Sequence, residues 1–456
     1  MRQHIGFQKG LKRRHIQLMA LGGIIGSSYF LGTGYIVSQV GPSAFLAYAL
    51  GGLITFLTMA CFSELIVAVP KAGSFISYSK MYISPAWAAG VGWSYWISWV
   101  VYIPSECIAA GILMHHFSNI FPVYVWTIFF GFVITFINLL HVRVFGEVEF
   151  WLGLVKIVLI LGFCLFAVLI FFGLIGNHSH EVLGDRYLLK EGGLFPKGWM
   201  IFFINMVILL SNFQGAEIVG VSASEAEDPK KQIPSVIKSV TYRILLLYLL
   251  PTFLLVLIFP WQKAGLQGSV FAIALESYGF KVVAHVFSFL VIAGAISCAN
   301  SGLYTTVRSL HGLALRGMAP TAWRSLSSQG VPVKALIATL SVVWGMLIFS
   351  CFFSAHALYA NLLAISGFTG SICWISICWA QYMFRRKVRE YKAQSYQTAG
   401  FPFTTQLAIW LQVFCLLVIV LSPQLRISFY LGLPGLIVPI LIYKYLLSKR
   451  RKISSL

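Results

Sequence analysis

The chain has 456 residues, of which 59% are apolar and only 10% charged, and its mean hydropathy is +0.84; these values exclude a water-soluble globule and indicate an integral membrane protein. The formal net charge of +20 does not imply nucleic acid, because the basic residues are spread over many short segments between apolar stretches, where they report topology and contact with anionic lipid. The eight cysteines all fall in hydrophobic stretches, with neither a disulfide framework nor a zinc spacing, so no metal and no cofactor is expected.

A bilayer core about 30 Å thick needs roughly 20 apolar residues per helix. In chain order, Ile16 to Ser63 carries no Asp, Glu, Lys or Arg, and Gly41-Pro42 divides it into spans 1 and 2. Spans 3 to 8 are expected at about 86–113, 121–140, 149–175, 198–223, 242–260 and 282–307. Ala335 to Phe384 is again free of such charges and divides near Ser354-Ala355-His356 into spans 9 and 10. Stretches at 404–422 and 427–447 complete an all-α integral membrane protein of twelve transmembrane helices. The basic N-terminus runs into span 1 without an A-x-A cleavage site, so the first helix reads as an anchor and not as a signal peptide. Most Lys and Arg fall on one side of this topology, and the positive-inside rule puts both tails, 1–15 and 448–456, in the cytoplasm of a protein of the cell (inner) membrane.

Most spans are dense in Leu, Ile, Val and Phe, and two depart from that composition. Span 1 contains Gly22-Gly23-Ile24-Ile25-Gly26-Ser27-Ser28, and span 6 contains Ser211-Asn212-Phe213-Gln214-Gly215-Ala216-Glu217. They lie five spans apart. Five is odd, so a second unit of five enters the membrane from the opposite side, and 16–175 and 198–384 read as inverted repeats with 404–447 outside them. Paired interruptions in such units point to a transporter binding site near the midplane. An unwound stretch frees N–H and C=O groups that lipid cannot satisfy and a polar ligand can. Gly22 and Gly26 also have the spacing of close helix packing, but packing leaves the polar cluster of span 6 unexplained.

Five segments carry a resemblance: GLKRRHIQLMALGGIIGSSYF, AGSFISYS (Ala72 to Ser79), FGEVEFW followed by Lys156, FQGAEIVGVSASEAEDPKKQIP and CANSGLYTTVRSL. Their order and spacing, from about residue 9 to 392, resemble the amino acid permeases of the amino acid–polyamine–organocation superfamily, with a likeness to bacterial GABA, lysine and aromatic amino acid permeases. The resemblance implies a LeuT-like fold, with spans 1–5 and 6–10 as the inverted repeats, spans 11 and 12 peripheral, and a small-molecule amino acid as substrate. It also implies that backbone amides at Ile25, Gly26, Ser27 and Ser28 hold the substrate carboxylate. The ammonium would take carbonyl oxygens of both breaks, including Phe213, Gln214, Gly215 and Ala216. The physics agrees, since the half-helix after a break presents N–H groups and a positive dipole end to an anion.

Ionisable residues at membrane depth mark pathways and relays. Lys156 lies roughly 12 to 14 Å below the cytoplasmic surface at 1.5 Å per residue. Related permeases place a lysine here, its amine in the volume that sodium fills in Na⁺-coupled relatives, so proton exchange at Lys156 is expected to couple transport to a proton gradient; a structural lysine is the alternative. Ser297 and Ser301, one helical turn apart on span 8, are candidate lining for that site, although such serines often bond their own backbone. Glu217 follows the span 6 break, with gating, proton transfer or tethering as candidate roles. Glu106, deep in span 3, is a candidate for the substrate cavity, with a packing acid as the alternative. Phe213 is the candidate gate. Glu64, Glu147 and Glu149 read as structural, the aromatic run from Trp93 to Tyr102 as packing or interface material, and His115-His116 as an external loop without a metal pattern.

The chain therefore reads as a secondary active transporter that imports an amino acid, or a derivative such as GABA, by alternating access with proton symport. An exchanger or a transport-deficient amino acid sensor of the same fold would carry the same motifs. No selectivity ring of a channel and no nucleophile and base pair of an enzyme is present in the sequence.

Overall fold

Proline, glycine and serine set where the apolar helices start and stop. The computed structural model describes residues 25–70, 74–139, 145–176, 188, 192–217, 246–327, 330–388 and 396–454. The N-terminal tail, residues 16–24 of span 1, Ala72 and Gly73 of AGSFISYS and the run from Ile218 through the Lys230-Lys231 segment lie outside the described residues. Among those described, every regular element is a helix and there is no strand.

The first span enters as α1 (Ser27–Phe30) and continues through Leu31, itself in helical geometry, into α2 (Gly32–Val40). Gly41, at φ +72°, takes a left-handed conformation that glycine alone adopts freely. It opens a one-turn 3-10 segment with Pro42, after which α3 (Ala44–Ala68) runs back. The short α4 (Phe75–Tyr82), capped by Ser74, lies in a connection expected to be loop. Ser84 caps α5 (Pro85–Phe117), its hydroxyl accepting the Trp87 N–H, with Pro85 at the first helical position where its missing N–H is harmless. Next come α6 (Val123–Leu139), α7 (Phe145–Phe171), α8 (Trp199–Ser211) and α9 (Leu246–Ile258). The short α10 (Val270–Ser277) precedes α11 (Lys281–Leu315), α12 (Val333–Phe349) and α13 (Ala355–Lys387). The chain ends with α14 (Phe403–Val418) and α15 (Ile427–Ser454).

Burial separates interior from periphery. In the most apolar stretches of α5 and α13, 89% of residues are buried, against 39% for the span built on α14 and 11% for α15. Helix α5 packs against α11, α13, α6 and α15, so it is the axis of the bundle. Large apolar side chains such as Phe132, Phe136, Trp151, Phe289 and Leu441 cover the outside, a surface suited to lipid and not to water. All cysteines are buried except Cys351, in the turn between α12 and α13.

Span 6, expected at about 198–223 with an interruption from Ser211 to Glu217, leaves regular helix at Ser211. Asn212, Phe213 and Gln214 turn to i−3 hydrogen bonds with Leu209, Leu210 and Ser211 at 3.0, 3.1 and 3.3 Å, and Gly215 sits at φ +103°. At the other end of the bundle, Glu64 of α3 is fully buried and accepts hydrogen bonds from Gln381 Nε2 and the Thr398 N–H, both at 2.8 Å. Arg385 closes an ion pair with the same carboxylate. This knot ties α3 to α13 and to the segment leading into α14.

Candidate functional site

The described parts of the two candidate interruptions, Ile25 to Ser28 and Ser211 to Glu217, are buried inside the bundle. Tyr48 of α3 joins Asn212 to α2: its hydroxyl accepts from Asn212 Nδ2 at 2.7 Å and lies 2.7 Å from Thr33 Oγ1. Thr33 spends its own proton on the Tyr29 carbonyl, so Tyr48 donates to Thr33. Tyr248 of α9 donates to the Asn212 carbonyl at 2.9 Å, and Tyr29 donates to the Tyr248 carbonyl at 3.4 Å. Phe213 is fully buried between these rings, with centroids 4.9 Å from Tyr248 and 6.0 Å from Tyr48. It packs against Gly51, where any side chain would collide with its ring.

At the first break the backbone polar groups have side-chain partners. The Ser27 N–H donates to Glu106 Oε2 at 3.0 Å. The Ser27 carbonyl accepts from the Tyr359 hydroxyl at 3.2 Å, the Ile25 carbonyl accepts from the Cys298 thiol at 3.4 Å, and Ser28 Oγ lies 3.0 Å from the Tyr102 hydroxyl. Gly26 has no side chain because there is no room for one: an added Cβ would meet Glu106 Oε1 and the Tyr102 hydroxyl, each at 2.5 Å. The amide expected to hold a substrate carboxylate is thus in contact with a carboxylate from α5.

At the second break Gln214 is gripped by two helices. Its Nε2 donates to the Ser366 carbonyl at 2.9 Å, and its Oε1 accepts from Ser98 at 2.9 Å and from Ser366 Oγ at 3.1 Å. Glu217 Oε2 accepts from the Gly215 N–H at 3.0 Å and from Trp374 Nε1 at 3.2 Å, so this carboxylate holds the unwound turn closed. Ala216 is buried beside it.

Lys156 of α7 is 2% exposed. Its Nζ donates to Cys298 Sγ at 3.3 Å and to Ser297 Oγ at 3.5 Å. Gly294 admits the stem, since a Cβ there would lie 3.1 Å from Lys156 Cε. Cys298 therefore touches the lysine on one side and the Ile25 carbonyl on the other. Ser301 is one turn further along α11, half-buried, and its carbonyl accepts from Thr305.

Some residues of the site carry no advance signal in a scan for charge and glycine. Tyr48, Tyr248 and Tyr359 come from otherwise apolar helices, and Cys298 resembles a packing thiol. Tyr102, which the sequence reads as packing or interface material, could have been found from its spacing: Trp99, Tyr102 and Glu106 follow at three- and four-residue steps, hence on one face of α5.

Comparison with known proteins agrees with this architecture. A family model described as amino acid permease matches residues 15–455. The chain belongs to the amino acid permease family. The permease is 36% identical to the amino-acid permease RocE of Bacillus subtilis, over 98% of this chain and 96% of that one. It is 34% identical to a putative histidine permease and 32% identical to the gamma-aminobutyric acid permease of the same organism, each over 98% of this chain and 96% and 95% of theirs. In structure the permease is similar to the manganese transporter of Eremococcus coleocola, with a TM-score of 0.60 covering 96% of this chain and 94% of that one. At 13% identity that likeness concerns the fold alone. The relatives are permeases, and the permease is accordingly a membrane transporter of amino acids.

Proposed function

We propose that the permease is a secondary active importer of one amino acid, or a close derivative such as γ-aminobutyrate, working by alternating access with proton symport. In this reading twelve spans cross the cell (inner) membrane with both termini in the cytoplasm. Spans 1–5 and 6–10 are inverted repeats, and spans 11 and 12 are peripheral. The observation that carries the reading is that Tyr48 links Thr33 of α2, just after Ile25 to Ser28, to Asn212, where regular helix ends in span 6. Backbone groups at Ile25, Gly26, Ser27 and Ser28 then receive the substrate carboxylate, and carbonyls from Phe213 to Ala216 receive its ammonium. Phe213 closes over the ligand from the aromatic cluster. Lys156, bonded to Ser297 and Cys298 beside the first break, exchanges a proton with the gradient, with Ser301 on the same helix face. The names of the relatives, which include histidine and gamma-aminobutyric acid permeases, support the substrate class.

A thermal-stabilisation screen of the purified permease against the twenty amino acids, γ-aminobutyrate and polyamines tests the reading. A ligand at a hundred times its Kd stabilises by about 2.7 kcal/mol, enough to single out the substrate. A permease stabilised by none of them is not the importer proposed.

A further inference from the structure

Glu106 is buried to 1% exposure in the middle of α5, and its carboxylate rests on the break in span 1. One oxygen accepts the Ser27 N–H at 3.0 Å. The other lies across Gly26, next to the Tyr102 hydroxyl, in the space a side chain at Gly26 would need. Among the described residues, the groups facing Glu106 include Ser27 of α1, Tyr102 and Cys107 of its own helix, Lys156 of α7, Tyr248 of α9 and Tyr359 of α13, with Cys298 of α11 across Gly26. Phenols and thiols are neutral at physiological pH, so among these groups Glu106 is the one carboxyl group and Lys156 the one amine. They flank the break, with Cys298 touching both the lysine amine and the Ile25 carbonyl.

We propose that Glu106 is the resident anion of the substrate-carboxylate site, that the substrate's carboxylate displaces it from the Ser27 amide, and that Glu106 takes up a proton when it is displaced. The proposal rests on the reading of the permease as an amino acid carrier and adds a second proton site to it, one read at the binding step. A single backbone N–H at 3.0 Å cannot serve two carboxylates at full strength. Two carboxylates confined within one buried site repel, and the pair lowers its energy when one of them is neutral. The substrate keeps its charge because it takes over the Ser27 amide. Glu106 then becomes the neutral partner, turning from acceptor to donor toward the adjacent Tyr102 oxygen. The proton arrives from solution and no bond other than O–H is made, so each bound substrate carries one H⁺ onto α5.

The test is the pH dependence of equilibrium binding to the purified full-length permease. The probe is whichever amino acid of the stabilisation screen the wild type binds. Where Glu106 is ionised before binding, affinity for the probe falls tenfold per pH unit for each proton taken up with it. Glu106→Gln is expected to bind with one proton fewer than wild type, so its Kd changes tenfold less per pH unit. Glu106→Gln with the wild-type slope overturns the proposal. A second readout needs only the wild type: difference infrared spectra on adding the probe should gain the C=O stretch of a neutral carboxyl. No such band also overturns it. A wild type that binds no amino acid refutes the carrier reading itself, whereas binding with an unaltered proton count in Glu106→Gln refutes only the role of Glu106.

Discussion

Replacing Gly26 by alanine isolates the contact that holds the first break to the interior. Gly26 has φ −111° and ψ −169°, an extended conformation open to any L-residue, so the change strains no dihedral. Its effect is steric. The new methyl would lie 2.5 Å from Glu106 Oε1, 2.5 Å from the Tyr102 hydroxyl and 3.2 Å from Cys298 Sγ, whereas ordinary contact begins at 3.4 Å. The carboxylate and the phenol must each retreat by about 0.9 Å to restore normal contact. A carboxylate moved that far stretches its 3.0 Å bond from the Ser27 N–H beyond hydrogen-bonding range. Overpacking costs about 1–3 kcal/mol and a lost hydrogen bond to a charged group about 1.5–3 kcal/mol. Both displaced groups are side-chain tips that relax, so the combined loss is about 2–4 kcal/mol. Gly162 of α7 is the control, because an added Cβ there meets nothing within 4 Å and alanine is favoured over glycine in a helix by up to about 1 kcal/mol. Thermal unfolding of the two detergent-solubilised variants, with and without the amino acid that stabilises the wild type, is the assay. Gly26→Ala should melt below both wild type and Gly162→Ala and lose the ligand's stabilisation. Equal melting of the two variants with binding intact refutes the reasoning.

Three further expectations follow from buried contacts. Arg385→Ala leaves the fully buried Glu64 carboxylate without its cation and should cost about 3–5 kcal/mol; the Glu64→Gln/Arg385→Ala double variant should lose less than the two singles added together, and an additive cycle in unfolding measurements counts against the pair. Phe213→Ala empties a site walled by Tyr48, Tyr248 and Gly51 and should lose about 3–5 kcal/mol in the same assay, with a loss under 1 kcal/mol arguing that the ring is not packed as described. Lys156→Ala should take up substrate into proteoliposomes without responding to an imposed ΔpH; an unchanged response removes Lys156 from the coupling step.

The helices were largely legible because long apolar stretches and Gly-Pro punctuation are governed by bilayer thickness and backbone chemistry. Ala335 to Phe384 divides at residues 350–354, close to the expected point, into α12 and α13. The short α4 and α10 were not legible, since eight-residue helices in the connections leave no membrane-length signal. The end of regular helix at Ser211 was visible through the Asn212–Glu217 cluster, whose polar residues have no place in a lipid-packed helix. What the break's amide meets was not visible: the pairing of Ser27 with Glu106 joins residues 79 positions apart and is created by the packing of α1 on α5. The same holds for Tyr48, Tyr248 and Tyr359. Each adds an aromatic body to an apolar helix, and only its hydroxyl, placed by tertiary packing, gives it a role at the break.

The central claim, that two helix breaks move an amino acid across a membrane at the expense of a proton gradient, is tested most directly by transport itself. Proteoliposomes holding the purified permease, with an alkaline interior, should accumulate the radiolabelled amino acid identified by the stabilisation screen above its external concentration, and should release it when the pH difference is collapsed by a protonophore. Liposomes holding the permease that take up none of the labelled amino acids faster than protein-free liposomes, with or without the pH difference, would contradict the account.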